Sequence, residues 1–191
     1  MRTLEATFLA TQLSARVPGG TGRYTWELLR ALTETVAPGN RIRAVRLPAP
    51  ASAVAQLDRL SIPVTALRTP FPLVTRLWAR GMPPHPAESG VVHAPTLLVP
   101  PARPQTRLVV TVHDVVPWTH PETLTPRGVA FHQAMAVRAA STADVLVTPT
   151  RAVADAVRTY LEPGCPVVPV LSGASVQPVP EDAGDRRRRP R

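Results

Sequence analysis

The chain contains no lysine, so every basic residue in it is arginine. Together with abundant alanine, proline and valine, this bias is typical of a GC-rich genome and says little about function. Five of the last six residues, at 186–191, are arginines, and they account for much of the formal charge of +9. The rest of the chain predicts no strongly basic face, so we expect no nucleic-acid partner. An arginine run of this kind can bind anionic lipid or nucleic acid, but a solvated tail or a hinge stub is the favoured interpretation.

A single cysteine, Cys165, excludes an internal disulfide and fits a reducing compartment. No run of 18 apolar residues is present, so no membrane-spanning helix is expected. Polar residues such as Glu5 and Gln12 interrupt the first apolar run, which argues against a signal peptide. These features predict a cytoplasmic protein. Peripheral contact with the inner membrane face stays open, because Arg76 and Arg80 flank an apolar stripe in 71–80.

No spacing of histidines, cysteines or carboxylates resembles a zinc site, so neither a metal nor another cofactor is expected. The length of 191 residues fits one domain, and 44% apolar residues can fill its core. We expect this domain at 1–176 and a hinge stub or disordered Arg-rich tail at 177–191.

Short apolar runs alternate with segments of helical periodicity along the chain. This alternation predicts an α/β, Rossmann-like domain with a mostly parallel sheet and helices on both faces. The predicted strands lie at 3–13, 41–47, 64–67, 91–93, 108–112, 145–147 and 167–171. The predicted helices lie around 24–32 and at 51–60, 71–80, 125–140 and 151–161, the last with Thr150 as its N-cap.

Polar residues and glycines follow the predicted strand ends. A glycine-rich segment follows the first strand, His93 ends the fourth, and His113 with Asp114 ends the fifth. Thr150 and Arg151 follow the sixth. Ligands of parallel α/β sheets bind beyond the carboxyl ends of the strands, so these groups are expected along one edge.

The segment Gly19-Gly20-Thr21-Gly22 is predicted as a loop that leads into a helix N-terminus. Such a loop brings backbone close to a ligand and favours anions. It lacks the third glycine of a dinucleotide fingerprint, and the chain has no P-loop lysine. A flexible turn without ligand is the alternative.

His113 is the strongest catalytic candidate, because a histidine at the end of a central strand can hydrogen-bond a sugar hydroxyl or a phosphate oxygen. Asp114 can orient a loop or accept hydrogen bonds from nearby amides. A satisfied structural pair is the alternative for both residues. His93 is a weaker binding candidate, and His120 and His132 are predicted as loop and helix-surface residues.

Four segments resemble the N-terminal domain of glycosyltransferase family 4. They are the glycine-rich stretch 18–24 followed by Glu27-Leu28-Leu29, Val91-Val92-His93-Ala94-Pro95, Val110-Thr111-Val112-His113-Asp114-Val115, and the strand with its following turn at 143–151. Each motif is modest, but their order and spacing also resemble those of the family over about residues 1–180.

This resemblance implies the GT-B architecture, in which two Rossmann-like domains face each other across a cleft. It implies transfer of a hexosyl or mannosyl-type sugar from a nucleotide sugar, with retention of the anomeric configuration and without a metal. The acceptor would be a glycan or a lipid-linked substrate. By resemblance, His113 would hydrogen-bond the donor sugar near the reacting carbon. The other candidates for donor or acceptor binding are Gly19, Gly20, Thr21, Gly22, Arg23, His93, Asp114, Thr150 and Arg151.

The family's second domain supplies an Arg/Lys pair for the diphosphate and a Glu-rich motif for the nucleotide and sugar. Nothing in these 191 residues matches either, so we expect an acceptor-side half that is inactive alone. A truncated product, a fragment, or a half that works with a separate donor-domain chain would each fit. The alternatives are a non-catalytic Rossmann-like binding or interaction module and, less well supported, a nucleotide-binding Rossmann protein of another family.

Overall fold

Seven parallel strands form one sheet in the computed structural model, which describes residues 3–15 and 17–173. The strand order is β3-β2-β1-β4-β5-β6-β7, and each neighbouring pair is parallel. The strands are β1 Glu5–Leu9, β2 Arg41–Arg46, β3 Val64–Ala66, β4 Gly90–Ala94, β5 Thr106–Thr111, β6 Val145–Thr148 and β7 Val167–Pro169. The α/β, Rossmann-like fold class is therefore confirmed.

In the described part of the chain, six α-helices connect the strands, with two short 3-10 turns at Thr11–Ser14 and Pro121–Thr123. The helices are α1 Gly19–Thr35, α2 Ala51–Asp58, α3 Phe71–Ala79, α4 Val116–Thr119, α5 Pro126–Thr142 and α6 Arg151–Leu161. No helix within the described ranges has the length and hydrophobicity needed to cross a membrane.

The chain changes direction across the sheet between β1 and β4. It moves outward from β1 through β2 to β3, returns to β4 beside β1, and then moves outward the other way to β7. Connections on the two sides of this point diverge, which leaves a crevice beyond the carboxyl ends of β1 and β4.

Each face of the sheet has its own hydrophobic cluster. On one face, Phe8 of β1 is clustered with Leu29 of α1 and Leu57 of α2. On the other face, the neighbouring residue Leu9 belongs to a larger cluster that includes Trp78 of α3. Successive side chains of a strand point to opposite faces, so the strands are apolar on both. The same larger cluster contains buried residues of α5 and α6, among them Met135, Ala139, Ala154 and Val157.

The predicted and the observed elements differ most in three places. The first strand is shorter than 3–13, since the chain turns after Leu9 and the buried Leu13 lies in the 3-10 turn. Helix α4 was not predicted, because four residues around Pro117 are too short to show periodicity. Helix α1 begins at Gly19, so the glycine-rich segment is its first turn and not a loop before it.

The outer limit of the predicted domain, residue 176, and the tail at 177–191 lie outside the described residues.

Candidate functional site

A cavity of about 460 Å³ lies at the carboxyl edge of the sheet, beside the point where the chain changes direction. Its walls come from the segments that follow β1, β4 and β5 and from helices α1, α3, α4 and α5. The lining residues are Gln12, Thr21, Phe71, Thr96, Leu97, Leu98, His113, Asp114, Val116, Pro117, Leu124, Phe131 and His132.

His113 lies two residues past the end of β5 and is half-buried in this wall. Its Nε2 is 2.8 Å from the carbonyl oxygen of Pro95, in the segment that follows β4. A carbonyl oxygen only accepts, so Nε2 carries the proton and donates it. In the neutral ring Nδ1 is then a hydrogen-bond acceptor. The neighbouring segment thus fixes both the tautomer and the orientation of His113.

The ring of Tyr24, in the second turn of α1, lies against the ring of His113. Their centroids are 4.8 Å apart and their planes meet at 86°. Thr21, one turn earlier in α1, lines the same cavity as His113. The start of α1 and the end of β5 therefore meet at one place, as the parallel-sheet prediction required.

Asp114 has two roles in the wall. Its Oδ1 accepts a hydrogen bond of 3.0 Å from the backbone N–H of Val116 at the start of α4, as was predicted for a residue that orients a loop. The residue is exposed and also lines the cavity. A carboxylate has further acceptor positions, so Asp114 can also accept a hydrogen bond from a hydroxyl group.

Two glycines in the first turn of α1 have conformations or contacts that a larger residue would disturb. Gly19 has a φ of +61°, which favours glycine. The N–H of Gly22 donates to the carbonyl of Pro18 at 3.0 Å, and a Cβ at Gly22 would overlap the Cβ of Pro18. Gln12, which lines the cavity, donates from Nε2 to the same carbonyl at 3.1 Å. Close backbone packing thus requires Gly22, whereas Gly20 borders open space.

His93 lies within β4, since that strand continues to Ala94, and it does not line the cavity. Its Nε2 is 2.8 Å from Thr111 Oγ1, and its ring centroid is 5.1 Å from that of Phe8. Burial, with a smaller contribution from the charge of His113, lowers the pKa of His93 to about 4. His93 is therefore neutral at physiological pH and supports the strand end on which His113 depends.

Thr150, Arg151 and Arg23 are outside the cavity wall. Thr150 is the N-cap of α6, as predicted, and its Oγ1 accepts from the N–H of Val153 at 3.1 Å. Arg151 is the exposed first residue of α6, and Arg23 is exposed on α1. Thr150 and Arg151 follow β6, the neighbour of β5, so they lie on the expected edge but not in its cavity.

The apolar part of the wall was missed by the sequence analysis, as were Thr96 and His132. His132 was predicted as a surface residue of the helix, but it is half-buried beside Phe131 and borders the cavity. Their position was the signal available for three of these residues, because Thr96-Leu97-Leu98 begin two residues after the carboxyl end of β4.

Hydroxyl recognition is the chemistry that this wall supports, through His113, Asp114, Thr21 and Thr96. Within residues 3–15 and 17–173, no group of three or more histidines, cysteines or carboxylates could hold a metal ion. No protein-family model matches the chain, and comparison with curated proteins finds no significant match.

Proposed function

We propose that this domain is the acceptor-side wall of a retaining glycosyltransferase that uses a nucleotide sugar as donor. The observation that carries the proposal is the position of His113. It stands at the sheet's crevice, with one ring nitrogen held by Pro95 and the ring flanked by Tyr24. A histidine with a fixed tautomer can direct one defined hydrogen bond at a sugar hydroxyl.

The polar residues of the wall have separate roles in this proposal. His113 orients the sugar near the reacting carbon. Asp114 accepts a hydrogen bond from the incoming hydroxyl of the acceptor, and the hydroxyl groups of Thr21 and Thr96 complete the polar rim. Holding the two reactants in one geometry is the main contribution that such a wall makes to rate.

One wall is not sufficient for efficient transfer. The leaving diphosphate needs fixed positive groups or N–H donors, and no arginine belongs to the cavity lining in the part of the chain that the structure describes. We therefore propose that a donor-binding domain, in the same polypeptide or in a separate chain, supplies these groups.

The test is a transfer assay with two proteins. One is the 191-residue chain alone, and the other is a fusion in which residues 1–173 precede the donor-binding domain of a family 4 glycosyltransferase. We expect no turnover by the chain alone with any nucleotide sugar, and transfer by the fusion with retained anomeric configuration. A fusion that binds donor and acceptor but transfers nothing would contradict the proposal, and robust turnover by the chain alone would contradict the need for a second wall.

A non-catalytic interaction module is the second candidate. It is favoured by the exposed apolar residues at the β7 edge of the sheet, where Val168, Val170 and Leu171 are 42%, 51% and 75% exposed. Such an edge fits a partner surface. This candidate predicts that partner binding depends on Val170 and is insensitive to His113→Ala.

A further inference from the structure

The cavity is lined by both polar and apolar residues, which we call its polar part and its apolar part. The polar part consists of residues at the sheet edge and the start of α1, including His113, Asp114 and Thr96. The apolar part comes from the segment after β4, from helices α3, α4 and α5, and from the residue Leu124 between α4 and α5. Its members are Phe71, Leu97, Leu98, Val116, Pro117, Leu124 and Phe131.

Charge restricts what this cavity can hold. The ionisable groups among its lining residues are His113, His132 and the carboxylate of Asp114. No arginine takes part in this lining within the described ranges, and Asp114 repels anions. A phosphate group buried here would meet no permanently charged cation, since the imidazoles of His113 and His132 are the titratable bases of this lining. The complementary ligand has an uncharged, hydroxyl-bearing part and an apolar part.

We infer that the acceptor is an uncharged amphiphile, in which the hydroxyl that receives the sugar is attached to an alkyl or aryl body. The apolar body occupies the space between Phe71, Leu98 and Phe131, and the hydroxylated end lies against His113 and Asp114. A volume of about 460 Å³ is in the range of small-molecule sites. This inference rests on the proposed function, because only a transferase gives the bound hydroxyl the role of an acceptor.

Two residues of helix α3 distinguish binding in the cavity from adsorption to a membrane surface. Phe71 and Leu73 lie in its first turn and are almost equally exposed, at 48% and 47%. Only Phe71 lines the cavity. An amphiphile inside the cavity therefore contacts Phe71 and not Leu73, whereas a lipid surface that receives this helix would use both.

Calorimetric titration of the full chain tests the inference. The probes are glucose, butyl, hexyl and octyl β-glucosides below their micellar concentrations, and octyl phosphate. We expect affinity to rise roughly four-fold for each added methylene that is buried, as for burial of alkyl groups. Octyl phosphate should bind at least ten-fold more weakly than octyl glucoside.

Phe71→Ala should weaken octyl glucoside binding about five- to ten-fold, and Leu73→Ala should leave it unchanged. Both residues are half-exposed, so both variants are expected to fold, which circular dichroism checks.

Three results would overturn the inference. These are equal affinity for glucose and octyl glucoside, tightest binding of octyl phosphate, and equal losses in Phe71→Ala and Leu73→Ala. Transfer by the fusion to glucose as readily as to octyl glucoside would also overturn it, while leaving the proposed function intact. Chain-length-dependent binding by a domain whose fusion transfers nothing would instead support the ligand class and contradict the proposed function.

Discussion

The ring of Tyr24 meets the ring of His113 nearly at a right angle, with their centroids 4.8 Å apart. This contact joins the glycine-rich start of α1 to the turn after β5. The Nε2 hydrogen bond to Pro95 joins the same histidine to the segment after β4. Three separate parts of the chain therefore hold one imidazole ring, which identifies His113 as a positioned group and not an incidental surface residue.

Replacing Tyr24 tests that contact. Tyr24→Ala removes an aromatic pair, which contributes about 0.5–1.5 kcal/mol beyond the area that it buries, and should lower the free energy of unfolding by about 1–2 kcal/mol. Tyr24→Phe keeps the ring and should change it by less than about 0.5 kcal/mol. Urea unfolding measures both, and proton NMR follows the ring-current shift of His113. An unchanged His113 resonance in Tyr24→Ala would show that the rings do not meet in solution.

Gly22 and Gly20 form a matched pair in the first turn of α1. A Cβ at position 22 would overlap Pro18, so Gly22→Ala should destabilise the domain by about 1–3 kcal/mol. A Cβ at position 20 meets nothing within 4 Å, so Gly20→Ala should be neutral or should stabilise the helix by up to about 1 kcal/mol. Unfolding midpoints of the two variants measure the difference. Equal effects would mean that Gly22 is not packed against Pro18.

The low pKa of His93 predicts how stability varies with pH. The folded state holds this pKa at about 4, and the unfolded chain returns it to its ordinary value of 6.5. Between these values the unfolded chain binds a proton that the folded domain does not, so the contribution of His93 lowers stability as pH falls from 6.5 to 4. Above pH 6.5 both states are neutral and the contribution vanishes. Over this pH range the free energy of unfolding should fall by roughly 2–3 kcal/mol because of His93.

His93→Gln removes this titration while keeping a polar group near Thr111, and the exposed His120→Gln is its control. Urea unfolding is measured between pH 4.5 and 7.5. The free energy of unfolding should fall less with decreasing pH for His93→Gln than for the wild-type chain and His120→Gln. Identical declines in all three proteins would mean that His93 is exposed to solvent and protonates in the folded state.

Thr150 is predicted to act on helix stability through its capping bond. Thr150→Ala removes the acceptor for the N–H of Val153 and should lower the free energy of unfolding by about 1 kcal/mol. Thr150→Asp places another good N-cap there and should change the free energy of unfolding little. Because Thr150 is outside the cavity, neither variant should change the affinity for octyl glucoside. A loss of affinity without a loss of stability in Thr150→Ala would instead support a role in lining the cleft.

The alternation of strands and helices could be predicted because each element carries its own periodicity. β5 contains the apolar run 108–110, and α6 begins at a threonine cap and ends just before the Pro163-Gly164 pair. The first residue of α1 could not be predicted from periodicity. Glycines have low helix propensity, so Gly19 and Gly20 were predicted as a loop. In the structure they lie in the first turn of α1, where the N–H of Gly22 donates to the carbonyl of Pro18.

The polar side of the site was predictable from strand ends, and the apolar side was not. His113 and Asp114 follow a recognisable strand, and parallel topology places such residues at one edge. Phe71, Leu98 and Phe131 come from three different elements, and their meeting depends on how α3 and α5 pack over the sheet. Helical periodicity assigns Phe131 and His132 to neighbouring positions of α5 but does not reveal the space beside them.

Sugar transfer by the fusion protein with and without His113 tests the account most directly. His113→Ala should reduce kcat roughly 100-fold, because a positioned hydrogen bond to the reacting sugar is lost. His120→Ala, at an exposed histidine outside the cavity, should keep full activity. Equal activity of the wild-type, His113→Ala and His120→Ala fusions would contradict the claim that sugar is handled at this wall of the sheet.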